Sequence, residues 1–314
     1  MAIRVSSPED AGCFCFNLDS GLTRALPKDR TKRALCPLYY CTTDYYLELK
    51  LNIMSYCFEK NDEIIREWRD RAAKAGDGDI SSDGVYYKGE LYLEPNANQI
   101  WRYSGDEDAQ WTSAMRRILF VSKDLNDSDN AYDFRSLDLT HKTDGSLSFG
   151  NRFNNNLLRI TAGLSTLTKN GYPSFEDVND VEYVNQIWQD TAVARINVKK
   201  HSGGSSCSNP TLLKSIDKYQ DLILKQIKLL DPNIIVCCGG SGIIKDFVIE
   251  KFLKEEPKSL KSVTNNWIYY SSSKDVWVID SYHMNPRTNS TDQDLYENIM
   301  KYFFEAINKY PTKI

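Results

Sequence analysis

The chain has 314 residues, 41% of them hydrophobic and 26% charged, with a formal net charge of −4. That is the composition of a soluble globular protein, and it excludes one that holds polyanions by bulk charge. No apolar run approaches a membrane span and residues 1–30 lack a signal peptide's apolar segment, so no membrane partner and a cytoplasmic location are expected.

Eight cysteines stand at Cys13, Cys15, Cys36, Cys41, Cys57, Cys207, Cys237 and Cys238. Reduced thiols are the ordinary state for such a chain. The first four read C-x-C and C-x4-C, which is not a standard zinc spacing, and no metal is expected.

Residues 1–43 show no period. Thr42 to Ala75 is predicted helical, with Tyr46, Leu49, Ile53, Tyr56 and Cys57 at helical spacing; Asn61-Asp62 is expected to break it before Ile64, Ile65 and Trp68. The glycine- and aspartate-rich run from Gly76 to Gly84 reads as a loop, and Val85 to Leu93 as a hairpin turning at Lys88-Gly89. Residues 1–110 are taken as an N-terminal accessory region and 111–314 as the main domain.

From 111 onward, strand and helix patterns alternate, as in a parallel sheet covered on both faces. Predicted strands are Arg117–Val121, Thr191–Ile196, Asn233–Cys238 and Val276–Asp280, with Trp267–Tyr270 as an edge strand. A helix over 210–230 carries the stripe Leu212, Ile216, Tyr219, Ile223, Ile227 and Leu230, with Asn209 as cap and Pro210 in the first turn. A closing helix begins after Ser290-Thr291 and buries Leu295, Ile299, Phe303 and Ile307. The fold class is therefore α/β: a three-layer αβα domain on a mostly parallel four- to five-stranded sheet, plus the accessory region.

Polar groups follow each main strand. The first, in the stretch Ile118 to Asn126, ends in Ser122-Lys123-Asp124-Leu125-Asn126. The second is followed by Asn197, then Lys199-Lys200-His201-Ser202-Gly203-Gly204, the third by Gly239-Gly240-Ser241-Gly242, and the fourth by Ser281-Tyr282-His283-Met284-Asn285-Pro286-Arg287. In a parallel sheet these loops share one side, so Asp124, Asn197 and His283 are expected to converge.

In order and kind, these motifs resemble the uracil-DNA glycosylase superfamily over roughly residues 115–310. Ser122 to Asn126 stands where the superfamily has Gly-Gln-Asp-Pro-Tyr or Gly-Ile-Asn-Pro-Gly. Gly150-Asn151-Arg152-Phe153 is similar to the Asn-Arg-Phe-Trp segment of the mismatch-specific members. Asn197-Val198-Lys199-Lys200-His201 is similar to the Asn-Ala-Val-Lys-His segment of the thermostable members. Leu230 to Val236 followed by Gly239 resembles a strand opening common to many members, and Tyr282-His283 stands at the usual Tyr-His-Pro-Ser. Ser122, Leu125 and Met284-Asn285 depart from the usual Gly, Pro and Pro-Ser, and the thermostable members' iron–sulfur cysteine spacing is missing. The resemblance implies that Asp124 is the water-activating residue, His283 the catalytic histidine and Asn197 the reader of the base edge.

The residue types suit that chemistry. Breaking an N-glycosidic bond gives an oxocarbenium-like sugar and an anionic base. A carboxylate steadies the first and orients water, while an imidazole donates to the second. Tyr132 and Phe134 are candidates to stack on a flipped base, near Ser122, Lys123, Asn126 and the donor–acceptor amide of Asn197. Lys199, Lys200, His201, Arg195 and Arg287 are candidates for phosphate contacts, with Ser202, Gly203, Gly239, Gly240, Ser241 and Asn285 giving close approach. Taken singly, Asp124 reads equally as a helix cap, His283 as a structural histidine and Lys199-Lys200 as a solvated surface; their order along the chain carries the site reading. The sequence thus predicts a metal- and cofactor-free, monomeric DNA glycosylase-like hydrolase acting on uracil, a mismatched base or a modified base of foreign DNA. A non-catalytic nucleic-acid binder and an N-glycosidase acting on a free nucleotide are the alternatives.

Overall fold

The protein was analysed as a computed structural model that describes residues 56–93, 99–124, 131–141, 147–148, 150–201, 207–239, 241–256, 262–264, 266–286 and 290–310. Residues 54–314 group as one compact unit. Cys13, Cys15, Cys36 and Cys41, and the helical turns expected over 42–55, lie outside the described residues.

Helix α1 (Phe58–Ala75) buries Ile64, Ile65, Trp68 and Ala72 along one stripe and ends at Gly76 in the left-handed region, a usual helix stop. Asn61 and Asp62 do not break it. Asn61 is buried in its first turns, where its amide donates to the Asp83 carbonyl at 2.8 Å and accepts from Gln226 at 2.9 Å, so tertiary bonds outweigh its weak helix propensity. The expected hairpin over 85–93 is not formed either. β1 (Gly84–Val85) lies antiparallel on a later strand, whereas β2 (Leu91–Leu93) pairs with β3 (Gln99–Trp101).

Helix α2 (Glu107–Ser113) leads into β4 (Ile118–Ser122), all five residues of which are buried. β5 (Asp138–His141) and β6 (Leu147–Ser148) complete a small sheet with β2 and β3. Next come α3 (Arg152–Thr166), α4 (Phe175–Asn179), α5 (Val181–Asp190) and β7 (Val193–Asn197). Helix α6 (Asn209–Leu230) leads to β8 (Ile234–Cys238), and α7 (Ile243–Phe247) runs on as a π-helical Val248–Leu253. The chain closes with β9 (Ser262–Thr264), β10 (Ile268–Ser271), β11 (Val276–Ser281) and α8 (Asp292–Lys309). The cap of α6 is Ser208, not Asn209: its hydroxyl accepts from the Thr211 amide, and Asn209 is already the first helical residue. Thr291 caps α8 in a reciprocal box with Asp294.

β7, β4, β8 and β11 run parallel in that spatial order. β1 joins antiparallel outside β7, and β10 then β9 antiparallel outside β11, so the described sheet has seven strands and is wider than the expected four to five. Successive residues of the buried strands face opposite layers. Phe120, Val193, Val236 and Trp277 pack with Leu157 of α3, Trp188 of α5 and Phe303 of α8. Val121, Ile196, Ile235 and Val278 pack with Trp68 of α1 and Ile216 and Ile223 of α6. The result is a three-layer αβα arrangement in which the segment before residue 110 supplies a helix and an edge strand. No helix among the described residues is long and apolar enough to cross a membrane.

The order matters for the site. The chain leaves β4 to form β7 on one side of it, then crosses to form β8 on the other. Such a reversal opens a crevice beyond the carboxyl ends of the two diverging strands, where open α/β sheets bind ligands.

Candidate active site

A cleft of about 900 Å³ occupies that crevice. Lys123 and Asp124 reach it from the end of β4, Gly239 and Ser241 from the end of β8, and His283 and Asn285 from the loop after β11. Tyr132, Phe134 and Phe153 add aromatic surface. Asp124 and His283, remote in sequence, therefore line one cavity.

Each group is held by identifiable local structure. Asp124 is half-buried, with one carboxylate oxygen fully enclosed. The Lys123 ammonium donates to the Cys207 carbonyl at 3.2 Å. Nδ1 of His283 faces the backbone of Asn285, with the amide N–H at 3.1 Å and the carbonyl oxygen at 3.2 Å, so the loop's own backbone holds this side of the ring. The imidazole lies 5.3 Å from the Phe153 ring. Gly239 has φ +84°, and a Cβ there would come within 3.3 Å of the His283 backbone and Cβ, so glycine is what lets the β8 end meet the histidine loop.

The remaining predicted residues fall into two groups. Asn126, Ser202, Gly203, Gly240 and Arg287 lie outside the described residues. Ser122, Asn197, Lys199, Lys200 and His201 are described but do not line the cleft. Ser122 and Asn197 are cross-strand partners with no exposed surface. Lys199 is buried and donates to the His201 carbonyl at 2.8 Å.

Lys200 is buried too, in an ion pair with Asp83 and 4.8 Å from the centre of the Trp68 ring; burial lowers its pKa while Asp83 acts against that. Asp83 also takes the Asn197 amide at 2.8 Å and the Gln226 amide at 2.8 Å. The lysine pair read as phosphate-binding is thus corrected: it is enclosed, because a carboxylate far back in the chain and a carbonyl satisfy it. His201, half-buried, has its pKa lowered by burial and by Lys199.

Two charged strand residues line the cleft in addition, Asp280, which the sequence did not single out, and Arg195. Asp280, the last residue but one of β11, has its pKa raised to about 6 by burial against the pull of Lys245. It stands close to its proton-exchange point near neutrality, as acid–base groups do. Arg195, considered only for phosphates, is a strand residue whose side chain is 8% exposed. Its guanidinium lies 4.1 Å from the centre of the Phe153 ring and 4.9 Å from that of Phe134. Phe134 lies in turn against Tyr132, the ring centroids 3.9 Å apart and the planes tilted by 42°, so a continuous aromatic–cation wall runs from Tyr132 to His283. The signal for both was a charged residue inside an otherwise apolar stretch of a parallel strand.

Among the described residues no cluster of three His, Cys, Asp or Glu could hold a metal ion. The sequence matches no protein-family model and no curated protein.

Proposed function

We propose that this chain is an N-glycosidase of the DNA-glycosylase type, related to the uracil-DNA glycosylase superfamily. The observation that carries the reading is the sharing of one cleft by Asp124 and His283, at the reversal point of the sheet and beside an aromatic wall. A flipped base stacks against that wall. As the bond from base to sugar breaks, its electron pair leaves with the base, and an imidazole N–H of His283 donates to the growing negative charge. Asp124 steadies the cationic sugar and orients a water whose oxygen bonds to the anomeric carbon, the proton passing to the carboxylate.

Steady-state assays on oligonucleotides carrying single uracil, mismatched or modified bases test this. An abasic product from at least one, reduced about 10²–10³-fold by Asp124→Asn, is expected; no abasic product from any would overturn it.

Hydrolysis of a free nucleotide is the second reading, favoured by the burial of Lys199 and Lys200, which takes two cations away from a nucleic-acid surface, and by the net charge of −4. Chromatography of a nucleotide mixture after incubation separates the two: free base released without DNA supports the second.

A further inference from the structure

We infer that Arg195 is the anion-binding residue of this cleft, and that the ligand carries an oxyanion which meets the guanidinium edge-on. This rests on the cleft being a ligand site and goes beyond the hydrolysis proposed for it.

The first argument is electrostatic. Removing a guanidinium from water is costly unless an opposite charge and hydrogen bonds replace the lost hydration. Arg195 has no ion pair with any described carboxylate. Its contacts among the described residues are the two phenyl rings, the Tyr86 hydroxyl beside it and the side-chain oxygen Oδ1 of Asn197 at 3.5 Å, which is at the outer limit of a hydrogen bond. Tyr86 supplies no charge, because burial raises its pKa. The second argument is geometric. Phe134 and Phe153 lie against the guanidinium on the cleft wall, and an acceptor entering the cleft can pair with its N–H groups, as carboxylate and phosphate do with arginine.

A third observation is independent of charge. Among the described residues, Nε of Arg195, on the cleft wall, is buried without a hydrogen-bond partner. An orphaned buried donor is rare and calls for an explanation, and one on a cleft wall points to a ligand that completes it.

The oxyanion has two sources: a carboxylate on the base, or a phosphate of the nucleotide. Calorimetric titration of the full chain at low salt with 5-carboxyuracil, thymine and inorganic phosphate distinguishes them. The expected result is binding of 5-carboxyuracil or phosphate at least tenfold tighter than thymine, weakened by salt, with that preference lost in Arg195→Met. A preference for 5-carboxyuracil assigns the anion to the base, and one for phosphate assigns it to the backbone. Equal binding of all three probes, no binding of either anion, or an anion preference unchanged in Arg195→Met would overturn the inference. If Arg195→Met does not fold, Arg195→Lys decides in its place: loss of the planar fork must cut anion affinity severalfold and leave thymine unchanged. Because no bond is cleaved in these titrations, anion binding without base release fails the hydrolase reading alone, and base release without anion preference fails this one alone.

Discussion

Arg195 and Lys200 sit near one strand end, both more than nine-tenths buried, and have opposite surroundings. Lys200 meets Asp83, which also accepts from the Asn197 amide and from Gln226, so charge and hydrogen bonds close within the fold. Arg195 meets two phenyl rings and a distant amide oxygen at the wall of a cleft. The contrast separates a cation that fastens β7 to the helix layer from one whose compensation has to come from outside. Arg135 belongs with Lys200: it is buried yet paired with Asp62 at 2.7 Å and Asp133 at 2.6 Å, and burial notwithstanding these bonds hold the Asp133 pKa below its usual value.

The sharpest way to break the comparison is Asp83→Ala, which strands Lys200 without a counter-charge. A loss of about 3–5 kcal/mol in urea unfolding is expected, and Asp83→Asn combined with Lys200→Met should recover much of it. If Asp83→Ala costs nothing, the pair is not what fastens β7. Next in size is Asp124→Asn, a charge held for chemistry: base release should fall by an amount worth about 3–4 kcal/mol of transition-state stabilisation while the melting temperature stays put.

Asp280 gives a smaller effect of opposite sign. Its folded pKa of about 6 lies above its usual value, so the stability it contributes is fully present below about pH 4 and is lost as the pH rises through 6. Asp280→Asn should therefore stabilise the fold by about 1–3 kcal/mol at pH 7.5, and the gain should vanish in melts at pH 4. The smallest effect is expected at the exposed Arg117–Asp231 pair, 3.1 Å apart. There Asp231→Asn, which keeps a residue tolerant of the left-handed backbone, should shift stability by no more than about 0.5 kcal/mol.

The parallel core was legible in sequence because each strand is a short run of β-branched and aromatic residues bounded by polar ones, and both faces of such a strand are buried. Helix α6 was legible from its 3.6-residue stripe. The convergence of Asp124 and His283 followed from strand direction alone. What could not be read were partnerships between remote residues. Nothing near Lys200 announces that Asp83 will neutralise it, and nothing in Asn61 announces the buried amides of the Asp83–Gln226 network that hold it inside a helix. The two-residue β1 was equally hidden, since its pairing depends on an edge made more than a hundred residues later. Asn197 is buried beside Arg195, a placement that strand alternation fixes only once the register of β7 with β4 is known.

The position of β4 at the middle of the sheet has a consequence for biosynthesis. Both of its hydrogen-bonding edges remain bare until β7 and then β8 have left the ribosome, the second roughly a hundred residues downstream. At ~5–20 residues per second, a strand with four consecutive apolar residues is exposed as a template for mispairing for many seconds. Chaperone demand during translation, rather than the stability of the finished protein, is then what should limit its yield when expression is forced.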